Sequence, residues 1–217
     1  MIERGVIFNG EMVRAILDGR KTQTRRPVKF PVHDKNLGCE LAGNELAGEL
    51  SAGNYLNSAF GKLGDRIWVR EAYRFPASLD DVSPTGVGEM AVATGYRKPW
   101  APTFYEFTGT FSDGWKGFET PPKVSGAGKL RPSIHMPRWA SRITLENTDV
   151  RVEKLKHIHR AGIIAEGYPS EREATGGQYD PFLWYRDLWE SIYGDGSWQA
   201  NPWVWVIEFK HVEGGAA

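Results

Sequence analysis

The stretch that decides the fold assignment occupies residues 19–26 and is Gly19-Arg20-Lys21-Thr22-Gln23-Thr24-Arg25-Arg26. It follows a predicted amphipathic helix over Glu11–Asp18, for which Asn9 is the expected N-cap. Gly19 is suited to the left-handed conformation that often ends a helix. The chain is therefore expected to turn sharply just after this helix and to place basic and hydroxyl side chains together.

This basic and hydroxyl cluster allows two interpretations. It fits a solvated basic turn, and it also fits a phosphate or nucleobase site, because basic groups and hydroxyls both donate hydrogen bonds to anions. A buried lysine with cationic neighbours has a lowered pKa, and its neutral amine can take a proton from a threonine hydroxyl. Lys21 and Thr24 are the candidates for such a pair, with Glu166 as the group that orients them. A regular strand, however, would put positions i and i+3 on opposite faces.

The rest of the pattern predicts an α+β fold, because short strands and a few helices do not alternate at the spacing of a doubly wound sheet. A mixed barrel with flanking helices fits best. We expect one domain over residues 1–217 with two insertions, at about 35–63 and 76–131, the second containing a hairpin around Phe104–Phe107. The predicted strands cover residues 6–8, 66–71, 142–146, 150–153 and 203–209, and two later helices cover 155–165 and 182–192. Asp180-Pro181 is the expected start of the second of these helices, and the tail 214–217 is expected to fray.

Composition excludes several function classes. Lys plus Arg equals Asp plus Glu, at 27 each, so a protein that coats polyanions is not expected. The single cysteine, Cys39, gives no disulfide framework and no metal pair. No zinc spacing or nucleotide-binding glycine loop occurs, so no metal and no cofactor are predicted. Without a signal-peptide pattern at Met1–Gly10 or a membrane-length apolar run, a cytoplasmic location is expected.

Four segments in order resemble the ASCH-domain family of the PUA-like superfamily, in particular its longer members from bacteriophages and prophages. The first is Gly19–Arg26 after its helix. The second is Gly64-Asp65-Arg66-Ile67-Trp68-Val69-Arg70-Glu71, the third is Ala165-Glu166-Gly167, and the fourth is the closing strand Trp203–Phe209. The resemblance covers residues 5–30, 60–75 and 135–212 and leaves the two insertions uncovered. It implies a PUA-like β-barrel.

The resemblance also implies a chemistry. Bacterial relatives in this family are amidohydrolases of N4-acetylcytidine that use a lysine, a threonine and a glutamate, and the matching positions here are Lys21, Thr24 and Glu166. The expected activity is hydrolysis of an acylated cytidine or related nucleoside, with Arg20, Arg26 or a backbone amide at the oxyanion. Other ASCH proteins are ribonucleases or RNA-binding modules, so a ribonuclease and a non-catalytic RNA- or DNA-binding module remain the alternatives.

Four further side chains are candidate substrate contacts. Trp68 and Trp139 could stack on a base, or they could be packing residues of the core or barrel rim. Arg70 and Glu71 follow a predicted strand and could form an ion pair at a pocket mouth, or an ordinary salt bridge at the strand end. A small closed pocket with Lys21 and Glu166 in contact would favour the amidohydrolase, whereas an open basic groove would favour the ribonuclease.

Overall fold

The computed structural model of the protein describes residues 1–112, 126–169 and 180–212. The largest sheet has five strands in the order β1-β5-β9-β10-β2. Among the described residues the pairings follow this open order and no closed barrel is found. The predicted α+β fold is confirmed. The strands of this sheet are β1 Glu3–Ile7, β2 Gln23–Pro27, β5 Arg66–Arg70, β9 Thr144–Lys154 and β10 Trp203–His211.

The described chain divides into two compact units, and the prediction of a single domain stays a prediction. The first unit comprises Met1–Glu3, Ala15–Arg66 and Leu145–His211. The second comprises the described residues of Arg4–Arg14 and Ile67–Thr144, together with Val212.

The first unit is built on the central strand β10. This strand pairs antiparallel with β2 on one side and with β9 on the other, so that Val206 lies opposite both Arg25 and Arg151. Because side chains alternate along a strand, Val204 and Val206 share one face of β10. That face packs on α4 (Arg160–Ala165) and α5 (Pro181–Tyr193). The buried core there consists of Leu155, Ile158, Ile163, Tyr168, Tyr185, Trp189, Val204 and Val206.

Residues 35–63 contain a helix that the sequence pattern did not predict. The two short strands β3 (Val32–His33) and β4 (Glu40–Leu41) pair, and α2 follows over Gly43–Ser51. The Glu45 carboxylate accepts a hydrogen bond from the Ala42 amide at 2.8 Å, which is half of a capping box. Leu46 and Leu50 are buried one turn apart. A short apolar stripe among glycines and alanines gives a weak periodic signal, which explains the omission.

The second unit holds a three-stranded sheet and a further helix. The small sheet has the order β6-β7-β8, formed by Tyr73–Arg74, Phe104–Tyr105 and Thr110–Phe111, which confirms the hairpin predicted near Phe104. Helix α3 spans Pro84–Ala93 and was not predicted. The buried core consists of Trp68, Tyr73, Phe75, Val87, Ala101, Tyr105, Met136 and Ala140.

Two element predictions in the second half of the chain were wrong in their boundaries. The strands expected at 142–146 and 150–153 are one continuous strand, β9: Asn147 and Asp149 pair with Phe209 and Glu208 of β10, and Thr148 between them is the extra residue of a β-bulge. The helix expected at 155–165 begins only at Arg160. Leu155–His157 forms a separate 3-10 turn, held by a hydrogen bond from the Leu155 amide to the Pro202 carbonyl at 2.9 Å.

The helix starts predicted from capping residues are confirmed, whereas the first strand begins earlier than predicted. Helix α1 spans Gly10–Leu17, and the Asn9 side chain accepts the Met12 amide at 2.9 Å. Asp180 caps α5 by accepting the Phe182 amide at 2.9 Å. The first strand runs over Glu3–Ile7, earlier than the predicted 6–8. The predicted frayed tail lies outside the described residues.

Candidate active site

The chain brings Lys21 against Glu166 through a tight turn after α1. Gly19 has a φ of +74°, and the Lys21 amide donates to the Ala15 carbonyl at 2.9 Å. Residues 21 and 166 then form an isolated antiparallel β-bridge. Gly167 has a φ of +99°, and a Cβ there would lie 3.2 Å from the Lys21 Cβ. A glycine at this position therefore permits both the backbone conformation and the close approach.

Among the described residues, both hydrogen bonds of the Lys21 ammonium go to Glu166. Nζ donates to the carboxylate Oε2 at 2.6 Å and to the backbone carbonyl of the same residue at 2.9 Å. The two side chains are 0% and 2% exposed. Burying such a pair is costly unless the geometry is good and the remaining polar atoms are satisfied. The second carboxylate oxygen therefore needs partners of its own.

Two residues that the sequence pattern did not single out supply those partners. Arg25 Nη1 lies 3.3 Å from Glu166 Oε1, and the Tyr185 hydroxyl donates to the same oxygen at 3.4 Å. Arg25 in turn donates to Glu153 at 2.8 Å and to the Gln23 side-chain oxygen. The Glu166 carboxylate is thus held by groups from β2 and α5 as well as by Lys21.

The electrostatic surroundings favour a neutral Lys21 more than those of an ordinary lysine do. Burial lowers the pKa of the Lys21 amine from its ordinary value of 10.5. The charge and hydrogen bond of Glu166 oppose that shift, and the charges of Arg26 and Arg25 add to it. Burial, followed by the charge of Glu166, raises the pKa of the Tyr185 hydroxyl well above its ordinary value. Tyr185 therefore remains a hydrogen-bond donor at neutral pH.

Thr24 lies in the same unit but is not joined to Lys21. It is 1% exposed and sits in β2 opposite Ile207. Alternation along β2 directs Gln23 and Arg25 to one face and Thr24 to the other. Within residues 1–112, 126–169 and 180–212, no hydrogen bond links the Thr24 hydroxyl to Lys21. Its role as nucleophile stays a prediction.

The two arginines predicted at the oxyanion have different environments. The guanidinium of Arg20 pairs with Asp18 at 3.0 Å and donates to the Gly167 carbonyl at 3.1 Å, and its side chain is about one-third exposed (34%). Arg26 is half-buried in β2 opposite Trp205, and its charge acts on Lys21. Their part in stabilising an oxyanion stays a prediction.

The remaining four candidates lie in the second unit and make internal contacts there. Trp68 is buried in the core with the Arg70 guanidinium 4.6 Å from its ring centroid. The Trp139 ring stacks on Phe75 with centroids 5.5 Å apart and an interplanar angle of 5°. These packing contacts fit the core interpretation of both tryptophans, and substrate stacking stays a prediction.

Glu71 forms its ion pair with Arg142, a residue that the sequence pattern did not identify as a partner. The Arg142 Nε and Nη2 donate to the two carboxylate oxygens at 2.9 and 3.0 Å. The same guanidinium donates to the Thr108 and Thr110 hydroxyls and lies 4.0 Å from the Tyr105 ring centroid. Burial raises the pKa of Glu71 above its ordinary value of 4.5, and Arg142 acts in the opposite direction. Through these contacts of Arg142, the ion pair is joined to the β7–β8 hairpin.

The sequence contained a partial signal for the missed residues. Arg25 follows Lys21 at a spacing of four, which in an extended segment places both on one face. Tyr185 was predicted on the apolar stripe of its helix, but its hydroxyl partner is not visible in a stripe. Among the described residues, no group of three or more His, Cys, Asp or Glu side chains is placed to hold a metal ion.

Across the part of the chain that the structure describes, no helix is long and apolar enough to span a bilayer. Comparison of the chain with protein-family models, with curated proteins and with solved structures finds no match. The assignment of a function therefore rests on the site itself and on the sequence resemblance.

Proposed function

We propose that the protein is a hydrolase of an N4-acylated cytidine or a related acylated nucleoside, built on an ASCH-type, PUA-like domain. The observation that carries this proposal is the buried contact between the Lys21 amine and the Glu166 carboxylate at 2.6 Å. A buried contact between this lysine and this glutamate is the arrangement expected of the amidohydrolase. An open basic groove, as a ribonuclease would need, has no counterpart at this fully buried lysine.

In the proposed reaction Lys21 acts as general base. Its neutral amine takes a proton from the nucleophile, whose oxygen then bonds to the acyl carbon. Arg20, Arg26 or a backbone amide stabilises the oxyanion. The bond between the acyl carbon and N4 breaks as Lys21 returns the proton to N4. With water as nucleophile, the products are cytidine and a carboxylic acid.

The nucleophile is either the Thr24 hydroxyl or a water molecule. Attack by Thr24 would form an acyl-threonine ester, which a water molecule then hydrolyses. Thr24 has no hydrogen bond to Lys21 among the described contacts, and the Lys21 amine is covered. Catalysis thus includes a rearrangement that exposes Nζ to substrate, and attack by Thr24 further requires its hydroxyl to approach that amine.

The proposal is tested by measuring release of cytidine from N4-acetylcytidine by chromatography. We expect turnover by wild type and a loss of at least about 100-fold in Lys21→Ala, since general base catalysis contributes on that order. Lys62→Ala, which removes an exposed lysine of the same unit, is the control and is expected to retain activity. No turnover by pure wild-type protein on nucleosides or acetylated RNA would overturn the proposal, and cleavage of the RNA chain would replace it with the ribonuclease.

The isosteric variant Thr24→Val separates the two nucleophiles. If Thr24 attacks, the variant loses turnover as completely as Lys21→Ala does. If water attacks, the variant retains turnover, and trapping with hydroxylamine yields no acyl-enzyme product in wild type.

A further inference from the structure

We propose that Arg25 is a positioning residue of this site. It binds the Glu166 carboxylate in competition with Lys21 and so keeps the lysine amine available as a base. The catalytic consequence rests on the proposed function. The effect of Arg25 on the protonation of Lys21 does not rest on it, because that protonation can be measured without substrate.

The geometry of Arg25 fits this role. Its side chain is 1% exposed, and its guanidinium is fixed at two further points, by Glu153 Oε1 at 2.8 Å and by Gln23. From this fixed position Nη1 reaches Glu166 Oε1 at 3.3 Å. Arg25 and Lys21 therefore share one carboxylate, with one cation on each oxygen. A second cation on a shared carboxylate weakens the preference of that carboxylate for the first.

The charged and titratable groups around Lys21 come from several elements. Glu166 at the end of α4 holds the amine directly, and Tyr185 of α5 donates to the same carboxylate. Arg25 and Arg26 of β2 both act on Lys21 as like charges. One further charged group, Arg20, precedes Lys21 in the turn and pairs with Asp18.

Among these groups Arg25 and Arg26 differ in mechanism. Arg26 acts on Lys21 through its charge. Arg25 acts through its charge and also through the carboxylate that both residues contact. Removing Arg25 therefore has two effects in the same direction: it removes a like charge, and it leaves Glu166 more fully to the ammonium. Both effects favour protonated Lys21.

The experiment is a pH titration of the Lys21 ¹³Cε signal in protein labelled with ¹³C-lysine, with the signal assigned by its loss in Lys21→Met. We expect Arg25→Gln to raise the pKa of Lys21 by about one unit, and Arg25→Lys, which keeps the charge, to change it by at most a few tenths. Arg186→Gln is the control, because Arg186 is a partly exposed arginine of the same unit that pairs with Asp187, and it is expected to leave the titration unchanged.

For a second variant we expect a shift of the Lys21 pKa in the opposite direction. This variant retains Lys21, Glu166 and Arg25. Glu153 is partly exposed, at 18%, and is the other acid on Arg25. In Glu153→Gln the Arg25 charge is less neutralised and acts more strongly at Lys21, so the pKa of Lys21 should fall by about a few tenths of a unit. If Arg25→Gln does not fold, this variant alone decides: an unchanged or raised pKa overturns the proposal.

The same variants separate this inference from the proposed function. In an active enzyme, Arg25→Gln should move the ascending limb of the kcat profile to higher pH by the shift seen for Lys21, and Arg25→Lys should not. Equal shifts in Arg25→Gln and Arg25→Lys, or no shift in the ¹³C titration of Arg25→Gln, overturn the role of Arg25 even if wild type hydrolyses the substrate. Conversely, absent turnover with the expected ¹³C shifts overturns the proposed function alone.

Discussion

Gly167 shows how a single residue decides the geometry of the candidate site. Its φ of +99° lies where a side chain is strained, and a Cβ would stand 3.1 Å from the Ala15 side chain and 3.2 Å from that of Lys21. The glycine therefore allows α4 to end beside the Lys21 turn. In sequence it appears only as the third residue of Ala165-Glu166-Gly167, and a glycine after a helix is typical of an ordinary C-cap.

The variant Gly167→Ala should lower the free energy of unfolding by about 2–4 kcal/mol, since strained backbone and overpacking add. Gly19→Ala is its control, because Gly19 also has a positive φ but no atom lies within 4 Å of the position that a Cβ would occupy. That variant should lose only about 1–2 kcal/mol, the cost of the left-handed conformation. Urea unfolding of both proteins measures the difference, and equal losses would mean that close approach at Gly167 is unimportant.

Glu71 is a second residue whose environment sets a measurable property. Its side chain is 1% exposed, and burial raises its pKa above 4.5 despite the pair with Arg142. The folded state therefore holds this proton more tightly than the unfolded chain does. Stability from this group is fully present below the unfolded pKa and is lost as pH rises through the folded pKa.

In Glu71→Gln that contribution to the pH dependence should disappear. Above pH 4.5, wild type should lose Tm relative to the variant as pH rises, and scanning calorimetry between pH 4 and pH 8 can follow the difference. Glu106→Gln gives the opposite sign, because the hydrogen bond from Arg74 lowers the pKa of Glu106. Its effect should therefore appear as pH falls below 4.5. A Tm difference between wild type and Glu71→Gln that does not change with pH would contradict the argument.

Helix α2 contains two glycines whose environments differ. Its first residue, Gly43, faces the Trp203 ring, and a Cβ there would stand 2.4 Å from ring atoms. Gly48, in the middle of the same helix, is exposed and has no atom within 4 Å of a Cβ. The same amino acid thus serves close packing at one end of the helix and weakens the helix at its centre.

These two glycines give a matched pair of substitutions. Gly48→Ala should stabilise the protein by about 0.5–1 kcal/mol, because alanine loses less conformational entropy in a helix. Gly43→Ala should destabilise it by about 1–3 kcal/mol through overpacking against Trp203. Chemical denaturation with a common m-value compares them, and stabilisation by both substitutions would rule out the contact with Trp203.

At the scale of the whole molecule, the balance of charge bears on the proposed small ligand. The chain carries 27 basic and 27 acidic side chains, and in its basic segment 19–26 both Lys21 and Arg25 pair with the buried carboxylate of Glu166. These cations are neutralised within the protein. They are therefore poorly placed to release counterions from a nucleic-acid backbone.

The expected consequence is a weak dependence of activity on salt. Between 50 and 200 mM NaCl, kcat/KM for N4-acetylcytidine should change by less than about twofold, whereas a protein with 6–10 phosphate contacts loses about 10³–10⁵ in affinity over that range. A fluorescence-anisotropy titration with single-stranded RNA over the same salt series is the companion measurement. Tight RNA binding with a steep salt slope would favour the binding-module alternative.

The sequence by itself determined the elements whose signals are local. Asn9 and Asp180 begin their helices by accepting backbone amides two or three residues ahead, and Gly19 ends the first helix, so these boundaries needed no distant partner. The apolar runs of β5 and β10 also predicted these two strands. Lys21 and Glu166 were predicted as partners from the chemistry of their residue types and from the family resemblance, because no local rule joins two positions so far apart in sequence.

Only the tertiary structure decided which groups share the Glu166 carboxylate. Arg25 lies 141 positions from Glu166 and Tyr185 lies 19 away, and neither separation carries a periodic signal. Strand alternation predicts which face a side chain occupies, but the packing of β2, α4 and α5 decides what lies opposite that face. Likewise, only the structure decides that β2 begins at Gln23 as a regular strand, and this strand directs Thr24 away from the face that Gln23 and Arg25 occupy.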